Sequence, residues 1–494
     1  MSTAQRIYLG YAAGSLLCLV VALVSRYYFL AALPLGVLVA GQLILDYRPF
    51  FWLLLVSIPL GFELYLPGGL GTDLPTEPIA VMLTAVWVIH AARHWPEYDH
   101  RTYLHPVALL LYLHVLWIVV SACFAEVPLI SIKFVLAKLW YVGAFFLLPL
   151  LVLRTPARVT TFAHCVFWAL LFVAVQTLLR HATYGFTFAD QFRTMHPFMR
   201  NHVNYAGSLA TLTPWIGYLL YSRKRRGKSW IWPAALIVPF WLTAIFFAYT
   251  RAAYVAVALC GVAYFVIRFG WLRPALAAAF AVAVAATVYL VGNNRYLDYA
   301  PNYETTVSHR ELNNLIEATY NLEDISTMER FYRWVAGGNM VPYRPVVGFG
   351  PGNFVATYEG YTNNNFETYV SENEERSGIH NYFLMTTVEQ GLPGLLFLLL
   401  FMGSILYYGQ TLYRDQSDPL ARAGIMAALL SIVVIGAFSL INDLLETDKI
   451  GSLFFLCTAI VLTLGHHRPA DGSAGSGMKV QDPINGEGPT RHAG

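Results

Sequence analysis

Charge is what this 494-residue chain has least of. Only 12% of its residues are Asp, Glu, Lys or Arg, while 57% are hydrophobic. A soluble chain of this size carries about 25% charged residues, so a water-soluble globule is excluded. Cysteine is also scarce. The five cysteines, Cys18, Cys123, Cys165, Cys260 and Cys457, all fall in apolar runs, and none has CxxC spacing. They read as small buried hydrophobes, not as a disulfide framework or a metal site. There is no Asp-x-Asp motif and no His/Cys/Asp cluster with metal-ligand spacing, which disfavours a metal-dependent transferase. Nothing resembles a nucleic-acid-binding patch, so no nucleic acid is expected as a partner, and no cofactor is expected.

What is present is apolar sequence in long runs, such as PWIGYLLY, WPAALIVPFWLTAIFFAY and LLFLLLFMGSILYYG. The segments that contain them approach the ~20 residues that cross about 30 Å of hydrocarbon. None alternates apolar and polar residues as a barrel strand would. The predicted fold is therefore an all-α integral membrane protein of about 14 transmembrane helices. Spans 1–11 occupy residues 1–292, a large loop domain occupies 293–378, spans 12–14 occupy 379–465, and a disordered tail follows from 466 to 494. The first apolar run, residues 7–25, reads as a retained helix because no clear A-x-A site follows it.

Orientation follows from the basic segment SRKRRGKSW, which holds Arg223, Lys224, Arg225, Arg226 and Lys228 and is expected to be cytoplasmic. Alternation from there puts both termini inside and the 293–378 loop outside. Two capping-box signals lie in that loop, Ser308-x-x-Glu311 and Ser326-x-x-Glu329. The second predicts a helix over 327–337 that ends at Gly337 and Gly338. The stretch GFGPGN, residues 348–353, predicts a tight turn.

Arg200, Arg251, Lys133 and Lys138 stand at the outer ends of helices, where the positive-inside rule disfavours them. Arg and Lys gathered at a membrane surface suit a lipid phosphate or diphosphate, although each residue alone could simply snorkel to the interface. Arg330 and Arg333, at i and i+3 on the predicted loop helix, share a face. His380 stands where the loop re-enters the membrane, and a neutral imidazole there can take a proton from a sugar hydroxyl. Glu389 lies nine residues further along the same helix and reads as a carboxylate bonded between helices. Gly391, Pro393 and Gly394 predict a kink or a close helix approach. His90, His114 and His164 read as satisfied core residues. Asp443, Glu446, Asp448 and Lys449 read as a solvated loop. Tyr358, Tyr361, Phe366 and Tyr369 either pack within the large loop or stack on sugars.

His380-Asn381, nine residues, then Gly391-x-x-Gly394 resembles the H-[NSQ]-x9-G-x-x-G signature of the O-antigen ligase and polymerase family of bacterial membrane glycosyltransferases. Asn204 and Ala206 in RNHVNYAG, Thr250-Arg251 in AYTRAAY, and Arg330 with Trp334 ahead of GFGPGNF follow in the family's order. The resemblance covers about residues 195–405. Ligases of the family usually have 12 helices, and the first 190 residues carry no matching signature. The resemblance implies a GT-C-like bundle in the bacterial inner membrane. It implies a glycan donor on undecaprenyl diphosphate, an acceptor such as lipid A core, and transfer on the periplasmic side without metal. On this reading His380 is the catalytic base, and Arg200, Arg251, Lys138, Arg330 and Arg333 hold the diphosphate. Asn204, Lys133, Asn381 and Glu389 complete the substrate-binding set. A polymerase of the same family is the nearest alternative, and a polysaccharide transporter or flippase a more distant one.

Overall fold

The computed structural model describes the chain except residues 1–2, 28–29, 32, 67–69, 189, 294, 296–324, 364–365, 368–370, 372, 374–376 and 468–494. The capping signal at Ser308, Tyr369 and nearly all of the tail lie outside the described residues. The described chain is overwhelmingly helical, as the apolar runs require. Its long helices are α1 (Thr3–Ser25), α2 (Leu33–Leu45), α3 (Arg48–Leu60), α4 (Thr76–His94), α5 (Pro106–Ala122), α6 (Pro128–Val152), α7 (Pro156–Thr183) and α8 (His202–Arg225). They continue with α9 (Ile231–Phe246), α10 (Arg251–Phe269), α11 (Leu272–Val291), α12 (Ile325–Met340), α13 (Tyr382–Asp415), α14 (Pro419–Ser439) and α15 (Asp448–Gly465).

A helix stands at each predicted span. Among the described residues, however, eight helices are long and apolar enough to cross a membrane, or nine if α2 and α3 count as one bent span. Four others fall short for physical reasons. α5 and α9 are apolar but short, and α4 and α8 are long but less apolar. The α2–α3 pair bends by 113°, and α3 ends at Leu60. The chain after it forms an antiparallel hairpin, β1 (Phe62–Leu66) with β2 (Leu70–Leu74), in which Phe62 faces Leu74.

The core is built around α14 and α15. α15 is buried along almost its whole length. α14 packs on α8, α10, α13 and α15, α5 lies along α13, and α3 lies along α7. Several polar atoms inside the bundle are satisfied between helices. The Ser431 hydroxyl donates to the Thr211 carbonyl, and the Trp241 indole N–H donates to the Leu209 carbonyl. Large apolar side chains on α1, α9 and α11 point outward, as hydrocarbon contact demands.

The GFGPGN turn is not a surface feature. It inserts against a break in α13. Gly391 has φ +72, and a Cβ there would sit 2.0 Å from the Val346 carbonyl oxygen. The backbone N–H groups of Phe349 and Gly350 donate to the carbonyls of Val388 and Glu389, and Leu392 N–H donates to Pro345. Irregular backbone within a bundle survives only where such partners exist. Ser121 and Ser131 add hydroxyl donors to the Val347 and Pro351 carbonyls.

The loop helix also departs from expectation at its end. α12 runs through Gly337 and Gly338 to Met340. Gly337 serves packing, not capping: a Cβ there would lie 2.3 Å from the Ile379 Cδ1. The close approach draws α12 against the segment that leads to His380.

Candidate active site

His380 is the last residue before α13, and Asn381 caps the helix. The Asn381 side chain accepts the Leu384 N–H at 3.0 Å. His380 itself has φ +57, a left-handed conformation unusual for a residue with a Cβ. Asp443, on the short connection between α14 and α15, holds it there. Its Oδ2 accepts the His380 backbone N–H at 2.9 Å, and the carboxylate also accepts from the Asn381 backbone. The chain wraps tightly round this carboxylate, since a Cβ on Gly378 would lie 2.3 Å from Oδ2. Its second oxygen, Oδ1, is buried with no hydrogen-bond partner among the described residues.

α12 brings two arginines to the same place. Met328, Val335, Ala336 and Met340 bury one side of it. Arg333 is buried and paired with Glu329 at 3.1 Å, and it also donates to the Asn373 side-chain oxygen at 3.2 Å. Ser371 donates to the other Glu329 oxygen. Arg333 is thus rigidly held while its charge acts on both His380 and Asp443. Arg330 acts on His380 and, on its other side, on His202.

His202 opens α8, two residues after the exposed Arg200 and two before the buried Asn204. The Asn204 Oδ1 and the His202 Nδ1 are buried without partners among the described residues. The Thr250 hydroxyl donates to the His202 carbonyl at 3.4 Å, which sets Arg251, the first residue of α10, beside the start of α8. One end of the bundle therefore gathers Arg200, Asn204, Arg251, Arg330, Arg333, His380 and Asn381, together with His202 and Asp443. Those last two were not singled out from sequence as site residues.

The electrostatics follow from burial and charge. Burial, then the Arg330 and Arg333 guanidiniums, push the His380 imidazole down to about 3. It is neutral at physiological pH, and its ring nitrogens have no hydrogen-bond partner among the described residues, so both remain available to an incoming group. Burial lifts Asp443 to about 6, against the lowering effect of the His380 N–H.

Two sequence candidates, Lys138 and Glu389, are engaged elsewhere. Lys138 is buried, and its ammonium meets both oxygens of Glu446 at 2.8 Å. Tyr382 donates to the same carboxylate at 2.6 Å. Glu389 is only 3% exposed, and its carboxylate takes the N–H groups of Gly352 and Phe354, fastening the inserted turn to α13. Glu389 thus has a structural bond, the alternative to the substrate-binding role expected of it. Lys133 is exposed on α6. The cluster read as a solvated loop is instead integral to the bundle: Lys449 is buried, donates to the Ile58 and Gly61 carbonyls, and pairs with Asp448 at 3.1 Å. Among the core histidines, His90 bonds to Tyr98 and His114 to Gln390. Tyr358 and Phe366 are buried, and Tyr361 packs on Tyr343 and Phe349.

Residues 234–399 match the family model for O-antigen ligase. That stretch is similar to O-antigen ligases. Among curated proteins none matches it. The ligase-like stretch runs from α9 to the middle of α13 and takes in Arg251, Arg330, Arg333, His380, Asn381 and Glu389. Arg200, His202, Asn204 and Asp443 lie outside it and join the ligase-like residues only through the packing of α8 and the α14–α15 connection. The match supports an O-antigen ligase or polymerase-type glycosyltransferase in a membrane, a family whose substrates are lipid-linked glycans.

Proposed function

We propose that this end of the bundle is the active site of a metal-independent glycan transferase. Its donor is a glycan on undecaprenyl diphosphate, and its acceptor is a sugar hydroxyl such as one on lipid A core. The observation that carries the reading is the placement of His380, whose ring has no hydrogen-bond partner among the described residues, within reach of the Arg330 and Arg333 charges. Displacing a lipid diphosphate requires both functions. An acceptor oxygen attacks the anomeric carbon, the bond from that carbon to the diphosphate oxygen breaks, and its electron pair leaves on the diphosphate. Arginines stabilise the charge that grows there. The acceptor proton passes to a His380 ring nitrogen.

The same charges explain how a depressed imidazole can serve as a base. An arriving diphosphate offsets the repulsion that Arg330 and Arg333 exert on a His380 proton, so the site gains proton affinity as the donor binds. Arg330, Arg251 and Arg200 are the proposed diphosphate contacts. Arg333 acts through its field, since Glu329 and Asn373 hold it. Lys138 acts on Tyr382 through Glu446, at the first turn of α13. In this reading the fourteen predicted helices are the spans. The gathered end faces the periplasm across a bacterial inner membrane, and both termini lie on the cytoplasmic side.

The test is surface polysaccharide in a strain lacking the chromosomal copy, complemented with His380→Ala or Arg251→Ala. Loss of polymer on its acceptor at normal protein abundance is expected. Wild-type polymer in both would end the proposal. Long polymer accumulating on its lipid carrier marks a ligase, and single repeat units accumulating there mark a polymerase of the same family.

A further inference from the structure

A groove lies at the opposite end of the bundle. α8 carries His202 at one end and the basic turn Arg223–Lys228 at the other. The two ends are separated by roughly 33 Å of helix rise, about the thickness of a bilayer's hydrocarbon. At the far end α7, α8 and α9 leave a groove of about 300 Å³. Its walls are apolar, including Phe167, Trp168, Ile216, Leu219 and Ile237, and its rim carries Arg223, Arg226 and Lys228. Trp168 is 58% exposed, so the groove opens sideways on the face that meets lipid tails.

Not one Asp or Glu stands between Asp190 and Asp298. Among the described residues no carboxylate pairs with Arg223, Arg226 or Lys228. All three cations stand on the α8 side of the groove, at the end of the helix and in the turn after it, and α7 faces them with His164, Phe167 and Trp168. Snorkelling alone would put the charges in water and leave no cavity beneath them. Here an apolar slot and a cationic rim adjoin.

We infer that the groove binds an anionic phospholipid, with its phosphodiester on Arg223, Arg226 and Lys228 and an acyl chain along Trp168, Leu219 and Ile237. Guanidiniums suit phosphate oxygens, and basic pockets between helices suit lipid headgroups. The site is separate from the His380 end and stands whether or not the transferase reading does.

The test uses the full chain, delipidated in detergent and titrated with dioleoyl phosphatidylglycerol under native mass spectrometry. Dioleoyl phosphatidylcholine serves as the neutral comparison. The wild type should bind one phosphatidylglycerol at least tenfold tighter than phosphatidylcholine. Arg223→Gln/Arg226→Gln/Lys228→Gln should erase that preference. Arg93→Gln/Arg101→Gln/Arg268→Gln, with equal charge loss elsewhere, should keep it. Leu219→Trp, which fills the slot and leaves the charges, should weaken binding by a similar factor. Unchanged preference in the groove triple, equal loss in the control triple, or full binding by Leu219→Trp each overturns the inference. So does displacement of the lipid by an equal concentration of glycerophosphoglycerol, which would make the ligand a soluble organophosphate.

Discussion

Asp443 and His380, far apart in sequence, meet through one hydrogen bond: the His380 backbone N–H donates to the Asp443 Oδ2 at 2.9 Å. The carboxylate takes no hydrogen bond from the imidazole. It holds the backbone in a left-handed turn, and the imidazole it carries lies within reach of the Arg330 and Arg333 charges of α12. Such a conformation costs about 1–3 kcal/mol and persists only when its surroundings over-determine it.

Asp443→Ala therefore strips two backbone donors of their acceptor. We expect a stability loss of about 1–3 kcal/mol for each orphaned N–H. A displaced imidazole should also lower transfer by about 100-fold. Thermal unfolding in detergent and a transfer assay on the purified protein check both. A variant as stable and as active as wild type would refute the positioning role.

His380 supplies a pH dependence with a definite sign. Its folded value, about 3, lies below its unfolded value near 6.5, so the folded state binds fewer protons in that window. Its contribution to stability is complete above 6.5 and is lost as pH falls towards 3. His380→Gln removes that loss. The difference in Tm between wild type and His380→Gln should shift in favour of the variant as the pH drops from 6.5 to 4. A constant difference over the range would contradict the buried, neutral imidazole.

Lys138 and Glu446 form a pair in which one partner is buried and the other is 23% exposed at its side chain. Breaking a buried pair from one side costs about 3–5 kcal/mol, and the partial exposure of Glu446 reduces this to about 2 kcal/mol. Lys138→Met alone should be destabilising, and Lys138→Met/Glu446→Gln should recover most of the loss. If the two losses simply add in a double-mutant cycle, the pair does not couple.

Gly391→Ala meets two obstacles at once, a positive φ and the Val346 carbonyl. The inserted turn has to withdraw, exposing the Gly352 and Phe354 N–H groups that Glu389 now satisfies. We expect a loss of at least about 2 kcal/mol and faster proteolysis within 344–354. Gly403→Ala, in the same helix with open space around it, should be neutral or stabilising.

The sequence by itself determined the class of this protein. Apolar runs of bilayer length with so few charges leave only a helical membrane bundle, because backbone groups in hydrocarbon must bond within their own segment. It also marked His380, Asn381, Gly391 and Gly394 by spacing along one helix, and the arginines by their place at helix ends. Only tertiary structure decided which of these meet. Lys138 finds Glu446, Glu389 finds the inserted turn, and Arg333 finds Asn373, each across separations that no local period encodes. Asp443 looked like a solvated loop residue because nothing within a few positions of it names its partners. A buried carboxylate is recognised by the donors it satisfies, and those come from another helix.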